Sequence, residues 1–419
     1  MNSPSSVPLT TPDKIAATLG IGFGFFAGVG VTGLSMLMAI LSIWALIYGT
    51  TSSGKPLWRS IKSRLARNWL TWGTAILFVG WVASSALWSP AKILAGETAM
   101  RLTAMAVLGP MTVWACASGG VKDQAMVRRG LIAGLVISLS ILSFEALSQA
   151  TINKLASPEK DPLAIAGDLG RAATATLCLC WLGFLFLLRT EVRRSLIAVF
   201  VITCFLLSTQ FGTDLNAIGL VVGTCAALLA LYFPRVAIGV LTGGCALLMI
   251  LAPIVYPLVT KVVTALAPSG QLPLSYGRRA QMWEVAADLI AQKPLAGWGV
   301  GAGSTFDQVV RFGGYDWPLI QLHPHAAPLH IWLETGAIGA ALASITIIAA
   351  GAAAIRVFGS NRAVASAFVG GATFLALNWA FSHAAWREWM WCSFAALTAY
   401  ALMARSFYPP KPNIAFDDL

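Results

Sequence analysis

Three of the four histidines of the chain lie close together in the stretch HPHAAPLH, as His323, His325 and His330. A neutral imidazole takes up a proton near neutral pH, which makes histidine the commonest general base in enzymes. A residue before proline favours extended backbone, so His323 lies outside any helix, and we expect a helix from about residue 326. His325 then lies at a helix start, where the helix dipole and nearby arginines lower its pKa and keep it neutral. The spacing therefore predicts His325 as a general base.

Two other interpretations of these histidines remain open. The first is a zinc site made by all three, with a carboxylate from Asp307, Asp316 or Glu334 as a further ligand. The cationic surroundings disfavour a divalent cation there. The second is a purely structural role at helix ends. Glu334 lies on a different face of a continuous helix from His325, so we expect it to pair with an arginine or with the second ring nitrogen of a histidine.

Two adjacent arginines, Arg278 and Arg279, open a stretch in which Trp283 and later apolar residues recur at helical spacing. This pattern predicts an amphipathic helix over residues 279–292 at the outer membrane interface, with both arginines in its first turn. A helix N-terminus attracts anions, and arginine binds phosphate through a planar, bidentate fork. Arg171, at a predicted helix boundary, is a further cation for such a site. The alternative is that these arginines only reach lipid phosphates.

A glycine-rich turn, GWGVGAG, follows Pro294 and contains Gly297 and Gly299. Such a turn could let backbone N–H groups approach a phosphate. More often, glycines at this density simply make a tight loop. The turn is not a nucleotide-binding fingerprint, because no strand precedes it and no helix that begins with GK[ST] follows it.

The composition is that of a membrane protein. Hydrophobic residues make up 57% of the chain, charged residues 11%, and the mean hydropathy is +0.75, whereas a soluble domain has roughly 25% charged residues. The apolar runs are continuous and about 18–22 residues long, which predicts helices rather than transmembrane strands. The net charge of +11 comes from basic residues in short loops, which favours a role in membrane topology over nucleic-acid binding.

The apolar runs predict an all-α, polytopic membrane bundle of about twelve transmembrane helices with a long outward helical loop. The predicted segments are a cytoplasmic tail (1–14), helices 1–9 (15–258), a periplasmic catalytic loop (259–335), helices 10–12 (336–404) and a second cytoplasmic tail (405–419). A polar loop is predicted over residues 148–170. Lysine and arginine are denser in the loops on the side of the two termini, which predicts that both termini are cytoplasmic.

One set of positions carries a resemblance to a known family: Arg279, Trp283, Pro294, Gly297, Gly299, His325, Leu329, Glu334, Gly336 and Gly339. Their pattern resembles the O-antigen ligase/polymerase superfamily of bacterial membrane enzymes. Arg171 is similar to the first pyrophosphate-binding arginine of the family. The HPH doublet and WREWMW over residues 386–391 look like the branch that contains exopolysaccharide polymerases. The chain departs from the pattern at Ala326, where the family has asparagine.

The resemblance implies a metal-independent glycosyltransferase of lipopolysaccharide or exopolysaccharide biosynthesis, without a cofactor. Its donor would be a glycan on undecaprenyl pyrophosphate, and its acceptor a glycan or a lipid core. The expected catalytic residues are His325, Arg279 and Arg171, and the expected substrate-binding residues are Arg278, His323, Trp283, Glu334, Gly297 and Gly299. We also expect contacts with membrane lipids and with export or chain-length machinery, but not with nucleic acid. The site would face the periplasm from the bacterial inner membrane.

The sequence leaves two other functions open. One is a multispanning transporter for a lipid or small anion, although transporters usually hold ionisable residues near the midplane. The predicted spans hold few such residues, with Glu145 as the main exception. The other is a non-catalytic subunit of a polysaccharide export complex, which the alanine at position 326 favours.

Overall fold

The computed structural model describes residues 11–49, 56, 58–59, 66–118, 123–212, 214–267, 274–307, 309–312, 315–318 and 323–408. Within these ranges the α-helices are α1 Thr11–Val29, α2 Gly33–Tyr48, α3 Trp69–Ser85, α4 Lys92–Ser118, α5 Gln124–Leu147, α6 Thr151–Ala156, α7 Pro162–Leu177, α8 Cys180–Leu187, α9 Arg194–Ser208, α10 Asp214–Tyr232, α11 Pro234–Leu266, α12 Leu274–Gln292, α13 Ala327–Phe358, α14 Arg362–Phe381 and α15 Glu388–Phe407. The predicted all-α, polytopic membrane bundle is confirmed.

Six of these helices are long and apolar enough to cross a membrane, namely α4, α5, α10, α11, α13 and α14. The pair α7 and α8, which is bent by 41°, makes a seventh if it is counted as one span. Three shorter helices, α2, α3 and α9, are also apolar. Every predicted apolar run is therefore helical, and the count of twelve spans stays a prediction.

Glycines let α1 and α5 pack at very short distance. A Cβ added to Gly24 would lie 1.9 Å from the carbonyl oxygen of Gly134, and one added to Gly134 would lie 1.9 Å from that of Gly20. Small residues spaced by four on two helices allow such backbone contact in membranes. The helix α1 ends at Val29, and residues 30–32 form the turn that leads to α2.

The predicted polar loop over residues 148–170 is wrong, because most of it is helical. It contains α6 and the first half of α7. Asp161 caps α7 by accepting a hydrogen bond from the N–H of Leu163 at 2.6 Å, and Pro162 occupies the first helical position. Both residues are preferred at helix starts. Arg171 consequently lies inside α7 and not at the predicted helix boundary.

Other boundaries also differ from the prediction. The helix α11 continues to Leu266, beyond the predicted end at residue 258, and α12 begins at Leu274. Arg278 and Arg279 therefore lie in the second turn of α12 and not in its first. A short antiparallel hairpin, β1 Val309–Phe312 and β2 Tyr315–Pro318, follows a 3-10 turn at Ala302–Thr305. The sequence pattern did not predict this hairpin.

The helix α13 begins at Ala327, which confirms the helix start predicted at about residue 326, and its first half lies within the predicted loop 259–335. It is interrupted at Gly336, where φ is 64° and ψ is −165°. An interruption leaves the last carbonyl groups of the first half without helical partners. Here Leu333 O accepts from Trp298 N–H at 2.9 Å, Glu334 O from Gly299 N–H at 2.8 Å, and Thr335 O from Trp81 Nε1–H at 2.9 Å. The glycine-rich turn therefore supplies hydrogen-bond donors for two of the carbonyl groups that the interruption leaves free.

The second half of α13 is held by the same turn. The N–H groups of Ala337 and Ile338 donate to Pro294 O at 2.8 Å and Leu295 O at 3.2 Å. A Cβ added to Gly336 would lie 2.3 Å from Leu295 O. Because φ is positive and the neighbouring backbone is in contact, only glycine fits this position without strain.

We predict that Gly336→Ala lowers the free energy of unfolding by about 1–3 kcal/mol, because the alanine is strained and displaces Leu295. The measurement is thermal unfolding of the purified protein in detergent. Gly243→Ala in α11 is the matched control, since a Cβ there meets nothing within 4 Å, and its melting temperature should stay the same or rise. The contacts between the glycine-rich turn and the two halves of α13 form a clamp at Gly336. Equal melting temperatures for Gly336→Ala and the wild type would contradict a stabilising role of this clamp.

Candidate active site

The loop that carries His323 and His325 is held by Trp283. Trp283 of α12 donates its indole N–H to Pro324 O at 3.1 Å. The indole is buried, and its ring centroid lies 5.0 Å from that of Tyr256 in α11 and 6.2 Å from that of Phe381 in α14. The apolar face of α12 therefore positions the histidine loop. A direct contact of Trp283 with substrate stays a prediction.

His325 has a left-handed backbone with a φ of 51°, which is uncommon for a residue other than glycine. Two contacts hold it there. Its N–H donates to His323 Nδ1 at 3.2 Å, and its Nδ1 lies 3.1 Å from the carbonyl oxygen of Ser382. A carbonyl oxygen only accepts, so Nδ1 carries the hydrogen, and in the neutral ring Nε2 keeps its lone pair. The geometry thus provides a proton acceptor at Nε2.

The surroundings of His325 disfavour its charged form. Burial lowers the pKa of its imidazole most, the positive charges of Arg279, Arg278 and Arg387 lower it further, and the bond to Ser382 O partly opposes them. The resulting pKa is about 4. Burial and neighbouring charges also depress the pKa values of His323 and His383. All three rings are therefore neutral at pH 7, as a base requires.

Arg278 and Arg279 project from the second turn of α12 and are both partly buried. Burial is the main cause that lowers the pKa of each guanidinium. The Cζ atom of Arg279 lies 6.0 Å from the centroid of the Tyr276 ring, and the Tyr276 hydroxyl donates to Asp214 Oδ2 at 3.4 Å. The positive charge of Arg279 lowers the pKa of the His325 imidazole, which supports the predicted proximity of the two residues.

Arg171 lines a cavity of about 590 Å³. The cavity is bounded by the turn between α1 and α2, by α4, α6 and α7, and by the start of α15. Arg171 pairs with Asp168, which also pairs with Lys160. Arg387, which precedes α15, lines the same cavity. The volume falls within the range of roughly 300–1,000 Å³ that is typical of small-molecule sites.

Glu334 is fully buried, and its carboxylate contacts three groups of the site. Its Oε1 accepts from Gly301 N–H at 2.8 Å, and its Oε2 from Trp386 Nε1–H at 2.5 Å. His330 Nε2 lies 3.1 Å from the same Oε1, while His330 Nδ1 accepts from Ala385 N–H at 3.2 Å. Glu334 was expected to pair with an arginine or with a histidine ring nitrogen, and its partner in the structure is the histidine, His330. A substrate contact for Glu334 stays a prediction.

The glycine-rich turn uses its backbone N–H groups inside the protein. Beyond the bonds of Trp298, Gly299 and Gly301 described above, Gly297 N–H donates to Lys293 O, Val300 N–H to Ser85 Oγ and Ala302 N–H to Gly299 O. The suggestion that this turn presents free N–H groups to a phosphate is therefore wrong for residues 297–302. Gly297 and Gly299, with φ values of 68° and 94°, shape the clamp on α13, and their binding to substrate stays a prediction.

Two residues near the site were missing from the predicted set. Arg387 and His383 both lie between α14 and α15, and the charge of Arg387 acts on the imidazoles of His325 and His383. The polar loop at residues 382–388 and the WREWMW segment were the available sequence signals. Neither signal indicates which of these side chains approaches residues far away in the sequence.

The three histidines at 323, 325 and 330 are adjacent, with ring centroids 4.4 Å apart for His323 and His325 and 5.9 Å for His323 and His330. Both ring nitrogens of His330 face groups of the protein. In the part of the chain that the structure describes, no three or more His, Cys, Asp or Glu side chains form a group that could hold a metal ion. The three-histidine zinc site therefore finds no support in the geometry.

Comparison with known proteins relates the chain to one family. A family model described as O-antigen ligase matches residues 178–344, which include the histidine loop, α12 and the glycine-rich turn but not Arg171 or Arg387. A Rickettsia felis protein named "Putative polysaccharide ligase" is 23% identical over 337 residues, covering 75% of this chain and 79% of the relative. A Rickettsia conorii protein of similar name is 22% identical over 288 residues, covering 66% and 67%. The resemblance noted in the sequence is confirmed.

We predict that acidification destabilises the protein through its neutral histidines. The pKa of His325 is about 4 in the folded protein and has an ordinary value of 6.5, so the unfolded chain binds more protons between these pH values. The stability that the neutral ring contributes is therefore fully present above pH 6.5 and is lost as the pH falls towards 4. The measurement is the melting temperature of wild type and His325→Gln from pH 7.5 to pH 4.

The glutamine variant lacks the titrating group, so its melting temperature should fall less steeply than that of the wild type over this interval. Parallel pH profiles for the two proteins would contradict the depressed pKa.

Proposed function

We propose that this relative of the O-antigen ligases is a membrane glycosyltransferase that transfers or polymerises an oligosaccharide carried on polyprenyl pyrophosphate. The acceptor is a hydroxyl group of a second glycan or of a lipid core. The reaction takes place on the membrane face that carries the histidine loop, which we assign to the periplasmic side of the bacterial inner membrane. The observation that carries the proposal is a neutral His325 whose Nε2 is unprotonated and whose neighbours are arginines.

In the proposed reaction, His325 Nε2 takes the proton of the acceptor hydroxyl as the oxygen attacks the anomeric carbon of the donor sugar. A new glycosidic C–O bond forms, and the bond between that carbon and the diphosphate oxygen breaks. The bonding electrons leave with the diphosphate, whose growing negative charge is stabilised by Arg279 and Arg171. The carbonyl oxygen of Ser382 holds the imidazole in the tautomer that this step requires.

The orientation in the membrane is part of the proposal. The turn between α1 and α2 and the start of α15 line one cavity, so these two connections lie at one end of the bundle. Arg128 and Arg189 meet near Tyr408 at the end of α15, which lies at the other end. This arrangement supports a site on the face opposite the two termini, and the denser basic loops on the side of the termini support their cytoplasmic location.

Ala326 favours a non-catalytic subunit as the second candidate function, but its place in the fold weakens that argument. Ala326 is buried and occupies the N-cap of α13, where it makes no side-chain hydrogen bond. Asparagine is a preferred N-cap residue because its oxygen accepts from the first free N–H groups of the helix. An asparagine here would therefore have a capping role, and its replacement leaves His325 and its contacts in place.

The transporter alternative also loses support. Glu145, the main acidic residue expected within a span, lies near the end of α5 and is buried. Its carboxylate accepts from Ile152 N–H at 2.7 Å and from Asn153 Nδ2 at 2.8 Å, so it anchors α6 to the end of the helix. The carboxylate thus has a structural role at a helix terminus and not an ion-binding role at the membrane centre.

We predict that His325→Ala lowers glycan transfer from a defined polyprenyl-pyrophosphate donor by about 100-fold or more, because it removes the general base. Arg279→Ala should lower it by about 10-fold to 1,000-fold, through loss of charge stabilisation on the leaving diphosphate. The assay is product formation by purified protein in liposomes with candidate acceptors. Arg194→Ala, which removes an exposed arginine at the start of α9, is the control and should keep full activity.

Full transfer by both His325→Ala and Arg279→Ala would exclude the proposed reaction. Movement of lipid or anion across the liposome membrane, without any transfer by the wild type, would favour the transporter.

A further inference from the structure

We propose that Arg387 is a third arginine of the diphosphate site and binds the diphosphate of the lipid-linked donor together with Arg171. The inference rests on the proposed glycan transfer and adds a residue that lies outside the family match. Arg387 is exposed and immediately precedes α15. It lines the same cavity of about 590 Å³ as Arg171.

The charges that line this cavity are unbalanced. Four are cationic and two are anionic: Arg101, Lys160, Arg171, Arg387, Asp168 and Glu388. Asp168 pairs with both Lys160 and Arg171, and Glu388 lies 3.7 Å from Arg101. Over the described ranges of the chain, no ion pair includes Arg387. The cavity therefore carries excess positive charge, and Arg387 is the cation without a carboxylate partner among the residues described.

Arg387 lies close enough to Arg171 for their positive charges to repel each other. Bringing two guanidinium groups together in a partly buried cavity is unfavourable, and a bound anion turns the repulsion into two attractions. Arginine is well suited to this role because its planar fork donates two parallel hydrogen bonds to phosphate oxygens. A diphosphate offers two such groups on one ligand, one for each arginine.

Arg387 also links the cavity to the histidine loop. Its charge acts on His325 and on His383, and the charge of Arg171 acts on His383. The proposed reaction needs a leaving diphosphate beside the carbon that the acceptor oxygen attacks, and that oxygen must lie beside the base. A residue whose charge is felt at both Arg171 and His325 is placed to hold the leaving group at that junction. This position favours the diphosphate over a carboxylate elsewhere on the glycan.

The test compares Arg387→Ala and Arg387→Lys with Arg101→Ala. Arg101 lines the same cavity but already pairs with Glu97 at 3.1 Å and with Glu388, so it is the matched control. Binding of radiolabelled undecaprenyl pyrophosphate to each purified protein is measured in detergent. Inorganic pyrophosphate and undecaprenyl monophosphate serve as competitors, to separate recognition of the diphosphate from recognition of the lipid. Thermal unfolding shows that each variant is folded.

Loss of a charge-assisted contact should weaken binding of undecaprenyl pyrophosphate to Arg387→Ala by about 10-fold to 100-fold. Arg387→Lys should recover part of the loss, and Arg101→Ala should change binding by less than about threefold, as expected for an exposed, paired side chain. Inorganic pyrophosphate should compete with the wild type and less well with Arg387→Ala.

Wild-type binding by Arg387→Ala, or an equal loss in Arg101→Ala, would overturn the inference, as would competition by undecaprenyl monophosphate as strong as that by the unlabelled diphosphate. These outcomes are separate from a failure of the proposed function, because binding is measured without transfer. Wild-type binding by Arg387→Ala together with loss of transfer in His325→Ala would remove Arg387 from the site and leave the reaction standing.

Discussion

The buried carboxylate of Glu334 is the interaction on which the geometry of the site depends. It accepts from the backbone of the glycine-rich turn and from the indole of Trp386, and it lies beside His330. Burial of a carboxylate is costly unless it is hydrogen-bonded, so these groups must stay together for the charge to be tolerated. Through them the carboxylate joins α13 to the loop that supplies Ser382 and Arg387.

The interruption of α13 explains why glycines are needed in this motif. At Gly336 the helix exposes carbonyl and N–H groups, and the turn that starts at Pro294 satisfies them. The glutamate and glycines therefore form one structural unit that fixes the first half of α13. His325 lies just before that half, and its backbone N–H and imidazole contact His323 and the carbonyl oxygen of Ser382. The helix half that follows the proposed base is thus held by the glycines of the motif.

Much of this arrangement could be predicted from the sequence, because it depends on local pattern. The apolar runs predicted helices, and the spacing after Arg279 predicted the amphipathic helix α12. The helix over residues 162–170 was missed, although Asp161 and Pro162 were local start signals, because the polar residues around them are typical of a loop. The partners that accept from the N–H groups of Trp298, Gly299, Val300 and Gly301 lie more than thirty residues away in the sequence. No local pattern reveals such pairings, and the same limit applies to the approach of Arg387 to Arg171.

His325 is the proposed base, and its pKa is depressed by burial and by three arginines. The pH dependence of kcat/KM for glycan transfer tests this role. The acid limb of the profile reports the pKa of the essential base in the free enzyme. It should lie near pH 4, the pKa of the His325 imidazole, and full activity should persist well below pH 6. An acid limb near 6.5, the ordinary pKa of histidine, or a limb that is unchanged in the residual activity of His325→Gln, would contradict the account.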